Sequence, residues 1–281
     1  ICKHDSNNTH IIISLTKNGK YFLLLKNLKI KVYSIDIKSY PIIKFFNLIK
    51  LIRQIKPDIV QTWLVHSDFI GGVASKLAGI NQIIWNIRYS KLERGTAKLK
   101  TILLIKILSK LSFVIPKMIV VVSKSALRNC KDIGYSNHKL RLIQNGYDLS
   151  IIQSDKIKID YRKKYRIKKN VPIIGSVARY DPTKDHENLL NSLSILKKKK
   201  ISFFCILIGS NINNKYLIEK VKKLDLENFV KLLGNSNKVL RSLRGLDIHI
   251  LSSKTEGFPN VVAEAMACGT PCVVTDVGDA A

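Results

Sequence analysis

Short apolar runs recur along the chain, separated by longer stretches in which apolar residues return every three or four positions. No other feature constrains the fold as strongly. A short run bounded by amphipathic helices reads as a strand buried on both faces, and such strands pair in parallel beneath helical layers. The pattern predicts strands over 10–15, 30–35, 59–62, 83–87 and 118–122, and a second series over 173–178, 203–208, 230–233, 248–251 and 272–275. Between the early strands, IIKFFNLIKLIRQIKPD sets apolar residues against Lys and Arg and stops at Pro57, as an amphipathic helix feeding a buried strand would.

The rhythm breaks once. After RLIQNGYD, where Asn145-Gly146 is expected to turn, the stretch IIQSDKIKIDYRKKYRIKKN carries eight Lys or Arg and little that could form a core. A linker is expected near 147–155, followed by a short basic helix. The chain is therefore expected to be α/β, with one Rossmann-like domain over 1–148 and a second, with its linker, over 149–281. At 281 residues and 46% hydrophobic content it has enough apolar surface to fill both cores, which excludes disorder.

Lys and Arg number 48 against 20 Asp and Glu, a net charge of +28, so the surface attracts nucleotides, anionic lipid headgroups or nucleic acid. The segment TAKLKTILLIKILSKLSFVIPK sets Lys98, Lys100, Lys106, Lys110 and Lys117 against a Leu, Ile and Phe face. Such a helix suits an anionic membrane surface or ordinary packing on the sheet. No uncharged apolar run reaches the ~18 residues of a membrane span, and the first residues do not read as a secretion signal. The five cysteines, Cys2, Cys130, Cys205, Cys268 and Cys272, are odd in number and lack metal-ligand spacing, which fits a reducing cytoplasm. Cys268 and Cys272 flank Gly269 and Pro271 and read as small core residues.

Two motifs fall at the carboxyl ends of expected strands, where ligands bind in open α/β sheets. In IGSVARYDPTKDHENLL the strand delivers Arg179, and Lys184 follows on a loop before a helix. A planar guanidinium fork and a mobile ammonium together suit a diphosphate. In SSKTEGFPNVVAEAMACGTPCV, Pro259 suits the first turn of a helix that ends near Cys268, before Gly269 and Pro271. Its first N–H groups, near Asn260 and Val261, would face an anion. With phosphates there, Glu264 can accept hydrogen bonds from a ribose diol while Glu256 faces the other end of the ligand, where a carboxylate can stabilise oxocarbenium-like charge.

These two motifs, in this order and spacing, resemble the nucleotide-sugar half of the family 4 (group 1) glycosyltransferases, which have the GT-B fold. The resemblance extends to the first half through KPDIVQTWLVHSDFIGGVASKLAGI, IIWNIRYS, VVVSKSALRNCKDIGY and KLRLIQNGYD. It implies two Rossmann-like domains facing a central cleft, an acceptor bound by the first and a nucleotide-sugar by the second, with sugar transfer that retains anomeric configuration. Arg179, Lys184 and Glu256 would then be catalytic: the two cations would hold the donor diphosphate, without a metal or other cofactor, and Glu256 would contact the donor sugar. Glu264 would hold the ribose, and Gly257, Phe258, Pro259, Asn260 and Val261 would line the donor. A UDP-sugar is favoured over a GDP-sugar. The family commonly carries a His near the end of a first-domain strand, where IIWNIRYS has Arg88 instead, so Arg88 and His66 are the acceptor-side candidates. The family also opens with a strand and glycine-rich loop and closes with helices that this stretch of sequence does not show, so a fragment is expected.

The leading expectation is a cytoplasmic hexosyltransferase of polysaccharide or lipopolysaccharide synthesis, peripheral on the membrane and acting on a sugar or lipid-linked acceptor. A nucleotide-sugar epimerase of the same fold is the alternative within enzymes. A basic nucleic-acid-binding protein would explain the charge, but the lysines are spread over both halves and no aromatic stacking platform accompanies them.

Overall fold

The computed structural model describes residues 5, 7–17, 19, 21–89 and 98–281. Its elements run β1 (Ile11–Ser14), α1 (Phe22–Asn27), β2 (Lys31–Ser34), α2 (Pro41–Ile55), β3 (Val60–Trp63), α3 (Val65–Leu77), β4 (Ile83–Ile87), α4 (Leu99–Leu111), β5 (Met118–Val121), α5 (Lys124–Ile133) and β6 (Leu140–Leu142). The second series is α6 (Leu149–Ser154), α7 (Tyr161–Tyr165), β7 (Ile173–Val177), α8 (His186–Lys198), β8 (Phe204–Ile208), α9 (Lys215–Lys223), β9 (Val230–Leu233), α10 (Val239–Arg244), β10 (Ile248–Leu251), α11 (Asn260–Ala267) and β11 (Cys272–Val274). The described residues form two compact units, one drawn from 1–87, 100–120 and 130–141, the other from 88–99, 121–129 and 142–281.

In the first unit β1 and β2 pair in parallel, and β3-β4-β5-β6 form a separate sheet whose β3 and β4 are also parallel. Helix α2 begins at Pro41, which supplies helical φ without needing a donor, and stops where Lys56 turns left-handed before Pro57. Its Leu48, Ile49 and Ile52 pack with Ile35 and Ala74 of α3. Burying each Leu or Ile contributes roughly 1.5–3 kcal/mol, enough to fix which face of the helix turns inward. A cavity of about 230 Å³ is lined by β1 through Ile11 and Ile13 and by β3 through Val60 and Thr62. The two strands thus face one hollow while belonging to different sheets.

The second unit is one parallel sheet in the order β11-β10-β7-β8-β9. Successive residues of β8 serve opposite faces: Cys205 and Leu207 enter one core with Leu189, Leu193 and Leu217, while Phe204, Ile206 and Ile208 enter the other with Tyr161, Leu243 and Ala265. Covered on both faces, the strand is uniformly apolar, which is why it was legible as an unbroken run. Cys268 and Cys272 pack against the second of these cores, and Cys130 and Cys205 are buried and free. Cys2 lies outside the described residues.

Two local expectations change. The stretch 147–155, read as linker, contains α6, with Ile152 buried, its carbonyl accepting from the Arg244 guanidinium, and Asp155 paired to Arg241 at 2.7 Å. Ion pairing and one buried side chain order a segment too polar to show apolar periodicity. Asn145-Gly146 makes no turn but lies in irregular chain after β6, a three-residue strand too short to announce itself.

Candidate donor-binding site

The chain runs outward through β7, β8 and β9, then returns to the other side of β7 with β10 and β11. The direction of crossover reverses between β7 and β10, so the loops leaving these neighbouring strands diverge and leave a crevice at their carboxyl ends. Those two loops carry both sequence motifs. They are tied together: Lys254 N–H donates to the Thr183 carbonyl at 2.8 Å, and the Ser252 hydroxyl donates to the Lys184 and Asp185 carbonyls.

A cavity of about 280 Å³ opens there, bounded by Val177 at the end of β7 and Arg179 beyond it, Gly209 after β8, and Asn260, Val261 and Glu264 of α11. Gly209 makes the approach possible: its φ is +154°, and a β carbon would stand 2.0 Å from the Ala178 carbonyl oxygen. Pro259 precedes α11 as its N-cap, one position earlier than expected, and no side chain caps that end, whereas Gly269 closes the far end at φ +77°. Glu264 sits in the second turn, where burial raises its pKa. A half-buried carboxylate facing a cavity has unmet demand for donors, which a ligand hydroxyl can supply.

The loop after β7 is braced from within. Asp181 accepts from Thr183 N–H and hydroxyl and forms a 3.0 Å ion pair with Arg179, leaving the guanidinium 65% exposed at the cavity edge. His186, at the start of α8, makes a 3.1 Å contact from Nε2 to the Arg179 carbonyl. Lys184 does not line the cavity beside Arg179; its Nζ meets Glu256 Oε1 at 2.5 Å, with Ser253 donating to the same oxygen at 2.6 Å. These side chains are 19% and 9% exposed, so the cation and carboxylate form one partly desolvated unit bridging the two loops. Gly257 and Phe258 continue this loop, Phe258 lying 6.3 Å from the Tyr147 ring.

Sequence reasoning missed Asn145, Tyr147, Asp181 and His186. The Asn145 amide and Tyr147 hydroxyl donate to Asn260 Oδ1 at 2.6 and 2.7 Å, holding the first residue of α11. Burial, then Glu264, pushes Tyr147 up to about 12, against the pull of Arg88. Asp181 and Asp185 could have been found as Asp residues before helical turns, each accepting a backbone N–H two or three residues on. Nothing in the sequence marks Tyr147. Arg88 follows β4, partly buried and with its pKa lowered by that burial. His66 is exposed at the second residue of α3 and does not line this cavity.

Paired parallel-sheet units with a crevice at a strand-order reversal define the GT-B class. Residues 22–151 match the model of glycosyltransferase family 4 and residues 157–281 that of glycosyl transferases group 1. The chain belongs to this family of glycosyltransferases. Similar proteins include a glycosyltransferase, EpsF, of Bacillus subtilis, 27% identical over 75% of this chain and 56% of its own length. An Escherichia coli UDP-Gal:α-D-GlcNAc-diphosphoundecaprenol α-1,3-galactosyltransferase is 24% identical over 86% of this chain and 62% of its length. The chain thus spans little more than half of these relatives. Among solved structures, Anabaena Alr3699/HepE with UDP and glucose superposes with TM-score 0.79 at 18% identity, covering 97% of this chain and 82% of that one. A Rickettsia africae glycosyltransferase superposes with TM-score 0.72 at 24% identity, covering 96% and 72%.

Proposed function

We propose that the protein transfers a hexose or N-acetylhexosamine from a UDP-sugar to a lipid-linked sugar acceptor in surface polysaccharide synthesis, with retention at the anomeric carbon and no resident metal. The observation that carries this is the cavity after β7 and β8, with an exposed guanidinium at one edge and Glu264 on an uncapped helix at the other. Diphosphate would lie between Arg179 and the N–H groups of Asn260 and Val261, and the ribose diol would donate to Glu264. The nearby Lys184–Glu256 unit would serve the sugar end: Lys184 offsets negative charge building on the leaving phosphate, and Glu256 accepts from a sugar hydroxyl. The donor half is taken as 149–281 and the acceptor half, with Arg88 and His66, as 1–148. Relatives that act on undecaprenol-linked sugars support the acceptor class, and a location at the inner face of the cytoplasmic membrane follows from it.

The test is calorimetric titration of UDP and GDP into the purified chain, with Glu264→Ala beside it. UDP binding that weakens about tenfold or more in a variant with an unaltered melt supports the site, since a charge-assisted hydrogen bond is worth roughly 1.5–3 kcal/mol. Unchanged affinity in Glu264→Ala would sink it, and UDP-sugar turnover without acceptor would indicate epimerisation instead.

A further inference from the structure

Asn260 opens α11, and its side-chain oxygen is fully used. An amide oxygen has two lone pairs, and here one takes the Asn145 amide at 2.6 Å and the other the Tyr147 hydroxyl at 2.7 Å. Both donors come from the stretch between β6 and α6, and all three residues belong to the second unit. Burial and the nearby Glu264 push the Tyr147 phenol up to about 12, so it keeps the proton it donates.

The two donors fix the amide's orientation. Flipping Asn260 alone would set its NH2 group against the Asn145 NH2, donor against donor. Asn260 lines the cavity, whereas Asn145 and Tyr147 do not. With Oδ1 turned to those two, the planar amide keeps Nδ2 on the side left over, and among the described residues its two N–H groups meet no acceptor. An Asn at a helix start ordinarily turns its oxygen to an N–H of its own helix, but no side chain caps α11. Position along the helix then selects the ligand atom. Asn260 precedes Glu264 by four residues, about 6 Å at 1.5 Å per residue, and follows the loop that carries Glu256. Between a ribose at Glu264 and a sugar at Glu256, the group nearest Asn260 is the phosphate that bears the sugar.

We infer that the Asn260 side chain donates through Nδ2 to the sugar-bearing phosphate of the donor, and that Asn145 and Tyr147 are positioning residues that set the amide for it. Both assignments rest on the reading that the cavity holds a nucleoside diphosphate. A ligand oxygen then completes the one part of the amide that the fold leaves unpaired.

The experiment titrates UDP and UMP into the purified chain and its variants by calorimetry, with a melt of each. Asn260→Asp separates holding a loop from holding a ligand. Its carboxylate still accepts from Asn145 and Tyr147 and suits a helix start, so the melt should be kept or raised. Where Nδ2 donated, however, an oxygen now meets phosphate, and UDP affinity should fall about tenfold or more. UMP lacks the terminal phosphate, so its loss should be several-fold smaller. Tyr147→Phe should weaken UDP binding about threefold in the wild type and no further in Asn260→Ala, and Asn145→Ala should do the same. Glu264→Ala, acting at the ribose, should weaken both nucleotides alike and so reads the cavity itself. Unchanged UDP affinity in Asn260→Asp, equal losses of UDP and UMP there, or a Tyr147→Phe loss that persists in Asn260→Ala overturns the inference while a Glu264→Ala effect leaves the donor site standing. A folded wild type that binds no UDP removes the donor site and this contact with it.

Discussion

Glu256 accepts from both Lys184 and Ser253, so removing it leaves a partly buried ammonium and a hydroxyl without their shared acceptor. Glu256→Ala should cost about 2 kcal/mol in urea unfolding, whereas Glu256→Gln, which still accepts both hydrogen bonds, should lose about half as much. Asp68 shows a carboxylate with the opposite problem. Only 2% exposed, it accepts from the Thr62 hydroxyl at 2.5 Å, and burial raises its pKa to about 7. The folded chain then keeps a proton that the unfolded chain releases near pH 4. Its stabilising contribution is complete below that pH and is lost as pH rises through about 7. Asp68→Asn, which does not titrate, should flatten the pH dependence between 4 and 8. At pH 8 it should exceed the wild type by on the order of 2–4 kcal/mol, measured by chemical denaturation.

Between elements, the closeness of β8's end to β7's depends on having no side chain at position 209. Gly209→Ala would place a carbon against the Ala178 carbonyl, and its backbone conformation is disfavoured for any L side chain. A loss of more than about 2 kcal/mol is expected, together with weaker UDP binding, because the displaced strand end is also the cavity floor. An alanine scan read by both thermal melt and titration checks the coupling. Gly278, at φ +65°, meets the Glu256 carbonyl in the same way, so Gly278→Ala should disturb the Glu256 loop rather than the cavity floor. Strand positions were legible at this scale because β8 is an unbroken buried apolar run and β7, β9 and β10 are short, mostly apolar segments. Helix α6 and strand β6 were not, since ion pairs with Arg241 and Arg244 order the first and three residues carry too little pattern for the second.

Across the whole molecule, 48 basic residues against 20 acidic ones leave a self-repulsion that salt screens. Raising sodium chloride from about 20 to 200 mM should therefore increase the melting temperature by several degrees, and a fall instead would mean that ion pairs such as Lys220–Glu187 outweigh the repulsion. The sequence alone determined the α/β class, the strands of both series apart from β6, and the two motifs at strand ends, because each is a local pattern of burial or turn chemistry. Which motif faces which was decided by strand order: β10 lies beside β7 although β8 and β9 intervene in the chain, and only that adjacency joins Lys184 to Glu256 across 72 residues. Tertiary structure likewise brought Asn145 and Tyr147 to Asn260, contacts more than a hundred residues apart that no local periodicity encodes.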